Sequence, residues 1–353
     1  MLPTIHLRPP LISDYHIKEK IICIRAHRER IFRVATEITN NKLLCHNYGH
    51  GGAGWTFLFG AVNESIRQFE QQIRGNAHFT NQPICIIGAG CYGLLTAALL
   101  TYKGYEVTII TKETENIPSY KAAGFFFPRP RKSSTQEEKA VFESVGIESY
   151  RIYQQIIART HPFITKGVYL LPAYYGLDID PGFAPYQIKA LLSKPQTVCI
   201  DFGNGKNYTV NEYKTLFINA YELIEELHRV VKELKIPLIK QEITDFNQIP
   251  AAIIFNCSGL GSQQLTHDAR IVPVQGHLIM LKNQPDISQL QYMINYKTIM
   301  HNTKNMPRDE LIYFAPKESG ILGITFLRGQ DSLTANHHEF DRLIDRCRKF
   351  FGT

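Results

Sequence analysis

Residues Ile84–Gly93 read ICIIGAGCYG, an apolar strand that runs into Gly88-x-Gly90-x-x-Gly93. Three glycines at this spacing, between a strand and a helix, suit the pyrophosphate of a dinucleotide. The first allows the tight turn, the second lets the backbone approach the phosphates, and the third lets helix and strand pack closely. The unpaired N–H groups and positive dipole end of the following helix favour an anion without help from a basic side chain. The next strand ends Ile110-Thr111-Lys112-Glu113, and Glu113, twenty residues past Gly93, is the candidate for the ribose hydroxyls; the alternative is a solvated charge at a strand end. A second glycine loop, Tyr48 to Gly54, also leads into a helix, and Cys257-Ser258-Gly259-Leu260-Gly261 follows a further buried strand. Strand ends of this kind collect ligands in doubly wound sheets.

These loops need a sheet to hold them. Lys42–Asn47, Ile84–Ile87, Val107–Ile110, Pro237–Ile239 and Ala252–Asn256 read as short strands. Helices are expected from about Thr56, where Leu58, Phe59, Val62, Ile66, Phe69 and Ile73 recur at intervals of three and four, from Leu94 to Gly104, and over Thr215–Leu234. Residues 71–83 read as a connector. Between Pro128 and Gly205 recurrent prolines argue against a long helix and for a different domain. The last ninety residues give strands over Ile271–Leu281, Glu310–Ala315 and Gly320–Leu327, then a helix from about His338.

At 353 residues the chain exceeds one typical core. Its net charge of +7 is dispersed, which argues against nucleic acid as a partner and leaves room for anionic ligands. Seven cysteines without a C-x-x-C pair read as reduced core residues, with neither a metal site nor a disulfide framework. No run of eighteen apolar residues occurs and the N-terminus lacks a signal-peptide core, so a cytoplasmic protein away from the membrane is expected.

His46-Asn47-Tyr48-Gly49-His50-Gly51-Gly52-Ala53-Gly54-Trp55-Thr56 matches, almost residue for residue, the H-N-Y-G-H-G-G-x-G-x-T signature of one family, and the chain resembles the FAD-dependent D-amino acid oxidases and D-aspartate oxidases. Lys121-Ala122-Ala123-Gly124-Phe125 is similar to their flavin loop, and Ile253–Gly261 to their strand ending N-C-(S/T)-G. The resemblance implies an α/β fold, a Rossmann-like FAD-binding domain interleaved with a smaller α+β substrate domain on a mostly antiparallel sheet. It assigns 34–128 and 209–270 to the first and 1–33, 129–208 and 271–353 to the second. FAD would be held by Gly88, Gly90, Gly93, Glu113, Ala122, Ala123, Gly124, Gly51, Gly52, Ala53, Gly54, Trp55, Thr56, Ser258 and Gly259. The order of the pieces departs from the family, whose H-N-Y-G-H-G-G segment lies near the C-terminus, and implies a circular permutation.

The resemblance also places Arg25 as the bidentate partner of a substrate carboxylate. Ala26 stands where the family has proline, which keeps Arg28 open as the alternative, and a surface charge is the plainer reading of either. Tyr313, in Tyr313-Phe314-Ala315-Pro316, would close over the carboxylate, against the reading of a core tyrosine, and Gly52 would offer its carbonyl to the substrate amine. The family's second active-site tyrosine has no counterpart near Asp309. The implied reaction is oxidation of a small amino acid, of D configuration, with molecular oxygen as acceptor. A flavin dehydrogenase, a glycine- or sarcosine-type oxidase and a silent flavoprotein stay open, as does a homodimer.

Overall fold

The computed structural model describes residues 2–115, 117–301, 307–334 and 336–353. Two sheets organise them. The first has six strands in the order Leu238–Lys240, Val107–Thr111, Ile84–Ile87, Ile253–Asn256, Lys42–Tyr48, Arg33–Thr39, parallel except for the last pair. Parallel strands of this kind are covered on both faces and read as continuous apolar runs. Ile84 and Ile86 accordingly enter the main core, while Cys85 and Ile87 pack with Leu44, Ile110, Ile254 and Leu265 on the other side. The Lys42–Tyr48 strand that carries the glycine signature thus belongs to the sheet of Ile84–Ile87, with Ile253–Asn256 between them.

The second sheet has ten strands among the described residues and is mostly antiparallel. Its longest pairing joins Ile17–Arg28 to Ile271–Leu281. The C-terminal helix His337–Phe351 buries Phe340, Leu343, Ile344, Cys347, Phe350 and Phe351 against one face. The other face meets the core shared with the first sheet, into which Leu278, Met293, Tyr313 and Ile321 project. The α/β architecture with a mixed second sheet agrees with the expectation. No helix among the described residues is long and apolar enough to cross a membrane.

Several elements differ from the sequence reading. Thr215–Leu234 is not one helix: Asn207–Ile218 is a strand paired with Val168–Gly176, and the helix is Ala220–Glu233. Leu216, Phe217 and Ile218 are apolar in either period, and the long-range ladder decides; Asn219 then caps the helix by accepting from the Glu222 amide. The proline-rich stretch contains a helix of 22 residues, Gln136–Ile157, because its prolines all fall outside that span and Thr135 with Glu138 forms a capping box. It packs against Gly54–Arg74, which itself continues through Gln71 to Arg74 instead of yielding there to a connector. The strand expected over Gly320–Leu327 is broken into Ile321–Gly323 and Leu327–Arg328. All seven cysteines are free and all but Cys199 are buried.

Candidate functional site

The parallel strands end on one side of their sheet at Tyr48, Ile87, Thr111 and Asn256. The loops beyond them, with the Arg25 end of the second sheet, enclose a cavity of about 910 Å³. Every site residue named from the sequence lines it except Gly93 and the alternative Arg28. Gly93 lies behind the turn, where a Cβ would fall 1.9 Å from the Gly88 carbonyl oxygen, so its part is the close packing of helix on strand. Gly88 itself has φ +102°, and a Cβ there would meet the Cys257 carbonyl oxygen at 2.7 Å. A Cβ on Gly90 would meet nothing nearer than Ser119 Oγ, at 3.3 Å, which leaves the backbone bare towards the cavity. This is the cradle a pyrophosphate needs, and the residues present fit FAD.

Hydrogen bonds tie the loops to one another. Thr111, at the strand end, accepts from the Ala89 amide at 3.2 Å and donates to the Glu113 carbonyl at 2.7 Å, fastening the glycine turn to the strand end. Glu113 is exposed at the cavity margin. Tyr92, inside the glycine motif, donates to the Gly54 carbonyl at 2.8 Å and stacks on His50 at 3.9 Å between centroids. Trp55 Nε1 donates to the Ser119 carbonyl, and Thr56 Oγ1 accepts from the Phe127 amide. Burial, aided by Arg131, holds His50 well below its ordinary pKa, so the ring is neutral at pH 7. Lys317, which no motif marks, is buried and donates to the carbonyls of Tyr120 and Ala122 at 2.5 and 3.1 Å; burial brings its pKa down to about 8.

Arg25 also lines the cavity and is only 7% exposed. Its Nη1 donates to the Thr325 carbonyl at 3.2 Å, its guanidinium carbon stands 5.0 Å from the Phe326 ring centroid, and Nη2 has no hydrogen-bond partner. No carboxylate pairs with it among the described residues. The alternative, Arg28, is already committed: Nε binds Asp268 at 2.7 Å and Nη1 donates to the Ile31 carbonyl at 2.8 Å. Tyr313 is 8% exposed, with its ring 4.2 Å from that of Phe125, and burial raises its pKa, so the hydroxyl stays protonated. Gly52 faces Arg25, whose Cδ would lie 3.6 Å from a Cβ there. Asn295, unmarked in the sequence, lines the same cavity. Residues 302–306, next to Asp309 where a second tyrosine was sought, lie outside the described residues.

The arrangement offers a largely apolar cleft. Phosphate-adapted backbone and a buried guanidinium without an acidic partner among the described residues both lie on its lining.

Comparison with known proteins agrees with this geometry. The profile of a family described as "FAD dependent oxidoreductase" matches residues 83–353. The D-amino-acid oxidase of Streptomyces coelicolor is 26% identical over 204 residues, covering 57% of this chain and 59% of that protein. The D-amino acid oxidase of Dugesia ryukyuensis is 28% identical over 211 residues, covering 56% and 60%. The chain spans about three fifths of the length of these curated relatives. Among solved structures, glycine oxidase from Bacillus cereus superposes with a TM-score of 0.55 at 15% identity, covering 76% of this chain and 79% of that one. Iminodiacetate oxidase from Chelativorans gives 0.54 at 12% identity, covering 75% and 78%. At such identities the structural likeness concerns the fold.

Proposed function

This chain belongs to the FAD-dependent oxidoreductase family, and we propose that it oxidises a small amino acid, of D configuration, to a 2-oxo acid, ammonia and hydrogen peroxide. The observation that carries the proposal is Arg25: a cavity-lining residue with a buried guanidinium, an Nη2 without a hydrogen-bond partner and no acidic partner among the described residues. A buried cation stays uncompensated only at a cost, and a substrate carboxylate is the planar anion its fork suits. Tyr313 donates its hydroxyl to the same carboxylate, and the Gly52 carbonyl accepts from the substrate amine. These contacts hold two groups of the substrate, the carboxylate and the amine, and so restrict the orientation of Cα.

Residues 34–128 and 209–270 hold the cofactor on this reading, and 1–33, 129–208 and 271–353 shape the substrate side. The chemistry supplied by bound FAD is acceptance of a hydride from Cα, with molecular oxygen as final acceptor. The chain orients the substrate, excludes water with Phe125, Phe127 and Leu278, and releases an imine that water hydrolyses. We further read the chain as circularly permuted. The family profile begins at residue 83, after the glycine signature, and residues 348–353 pack against 10–14: Thr353 Oγ1 donates to the Pro10 carbonyl at 3.1 Å. A cytoplasmic location completes the reading, which leaves a homodimer open, and the free cysteines suit a reducing compartment.

Arg25→Ala tests the assignment. Losing a charge-assisted bidentate pair should lower kcat/KM roughly ten- to several-hundredfold with FAD content unchanged, and Arg25→Lys should recover little. Efficiency equal to the parent's would remove the carboxylate role. In the parent, flavin bleaching without oxygen uptake would indicate a dehydrogenase, and no bleaching across a panel of D- and L-amino acids a silent flavoprotein.

A further inference from the structure

Asn295 lies on the strand Met293–His301, in register with Tyr175 on one side and Tyr313 on the other. Residues in register share a face of the sheet, and Asn295 and Tyr313 both line the cavity. Asn295 is 5% exposed, and its Oδ1 has no hydrogen-bond partner; the hydroxyl of Tyr175 beside it is likewise buried without one. Phe125 closes this corner, its ring lying 4.2 Å from Tyr313 and 6.1 Å from Tyr175, and Leu311 adds to the apolar wall.

An amide oxygen buried without a hydrogen-bond donor loses its hydration and regains nothing unless a ligand brings a donor. An aliphatic substrate side chain would leave it unsatisfied, whereas a polar one would restore the bond. Turning the amide over would present the NH2 group to the same place, so the ligand best matched in both orientations is one that donates and accepts. Hydroxyl and carboxamide groups do both. Resting on the amino acid reading of the site, we infer that Asn295 is a specificity-determining residue that selects substrates whose side chains end in a hydroxyl or a carboxamide.

D-Asparagine and D-leucine, close in shape and opposite in polarity, make the comparison on the FAD-loaded enzyme. The parent should favour asparagine in kcat/KM, and Asn295→Leu should shift the asparagine-to-leucine ratio towards leucine by roughly tenfold or more. Asn295→Ala, which inserts no extra bulk, should move the ratio in the same direction. The melting temperature of the substrate-free Leu variant should equal or exceed the parent's, because a polar group without a partner has been removed. A lower melting temperature with equal losses on both substrates would mean a structural role and would overturn the inference. An unchanged ratio would overturn it too while leaving the oxidase reading intact. If no amino acid is oxidised by the parent or perturbs its flavin absorbance, both readings fall together.

Discussion

The guanidinium of Arg25 lies over Gly276, so closely that a Cβ on Gly276 would stand 1.7 Å from Nη2 and 2.5 Å from Cζ. Gly276 sits inside the strand Ile271–Leu281, opposite Cys23. Glycine inside a strand commonly marks such a close approach, and here it clears the space in which the cation reaches the cavity. Gly276→Ala meets only the movable end of an arginine, so the fold should survive with a change of about 1 kcal/mol or less. The guanidinium must move, however, and catalytic efficiency should fall roughly ten- to a hundredfold with FAD content intact. Steady-state kinetics beside thermal melting test this; parental kinetics would mean that the position of Arg25 is not critical.

Gly90 and Gly93 should separate cofactor affinity from stability. A Cβ on Gly93 would collide with the Gly88 carbonyl oxygen at 1.9 Å, backbone against backbone, and Gly93→Ala should cost about 3 kcal/mol or more. Gly90→Ala, with only Ser119 Oγ at 3.3 Å, should melt within about 1 kcal/mol of the parent yet weaken FAD binding by roughly tenfold or more, because the new methyl would stand between backbone and pyrophosphate. Titration of the two apoproteins with FAD decides it. Equal affinity of parent and Gly90→Ala would place the phosphates elsewhere.

Arg28 should behave as a structural residue. Burial opposes ionisation of Asp268, yet its bond to Arg28 keeps that carboxyl below its ordinary range, and Tyr48 and the Arg270 amide also donate to it. Arg28→Ala would strand the carboxylate and should cost about 3 kcal/mol in chemical denaturation, with KM for the substrate near the parental value. A rise in KM without a loss of stability would return Arg28 to the substrate site.

Acid should weaken the protein through its buried histidines. Burial and Arg33 bring His46 down to about 4, and burial does the same to His161, whose Nδ1 accepts from the Ile164 amide at 3.1 Å. The unfolded chain takes up these protons near 6.5, before the folded one does. The stability is therefore complete above pH 6.5 and is lost as pH falls towards 4, by up to about 1.4 kcal/mol per pH unit for a fully buried site and less for the partly exposed His161. His161→Asn keeps an acceptor near the Ile164 amide without titrating, and its melting temperature should fall less than the parent's between pH 7 and 4.5. Parallel curves for the two proteins would exclude His161 as a contributor.

The cofactor half of the site was legible in the amino-acid sequence because its determinants are local. A glycine turn, the strand before it and the helix after it lie within twenty residues, and Gly88, Gly90 and Gly93 differ in role through contacts that their spacing alone anticipates. The proposed substrate half was legible only through likeness to a family, and it is tertiary contacts that distinguish Arg25 from Arg28. Both arginines stand on one strand, three residues apart; Asp268, 240 residues from Arg28, neutralises one and nothing acidic among the described residues reaches the other. Asn295 and Gly276 carry no motif, since an unsatisfied amide and an overlying guanidinium exist only once distant strands are in register. The same physics explains Thr215–Ile218: an apolar run fits a helix or a strand equally by its own pattern, and the ladder to Val168–Gly176 settles it.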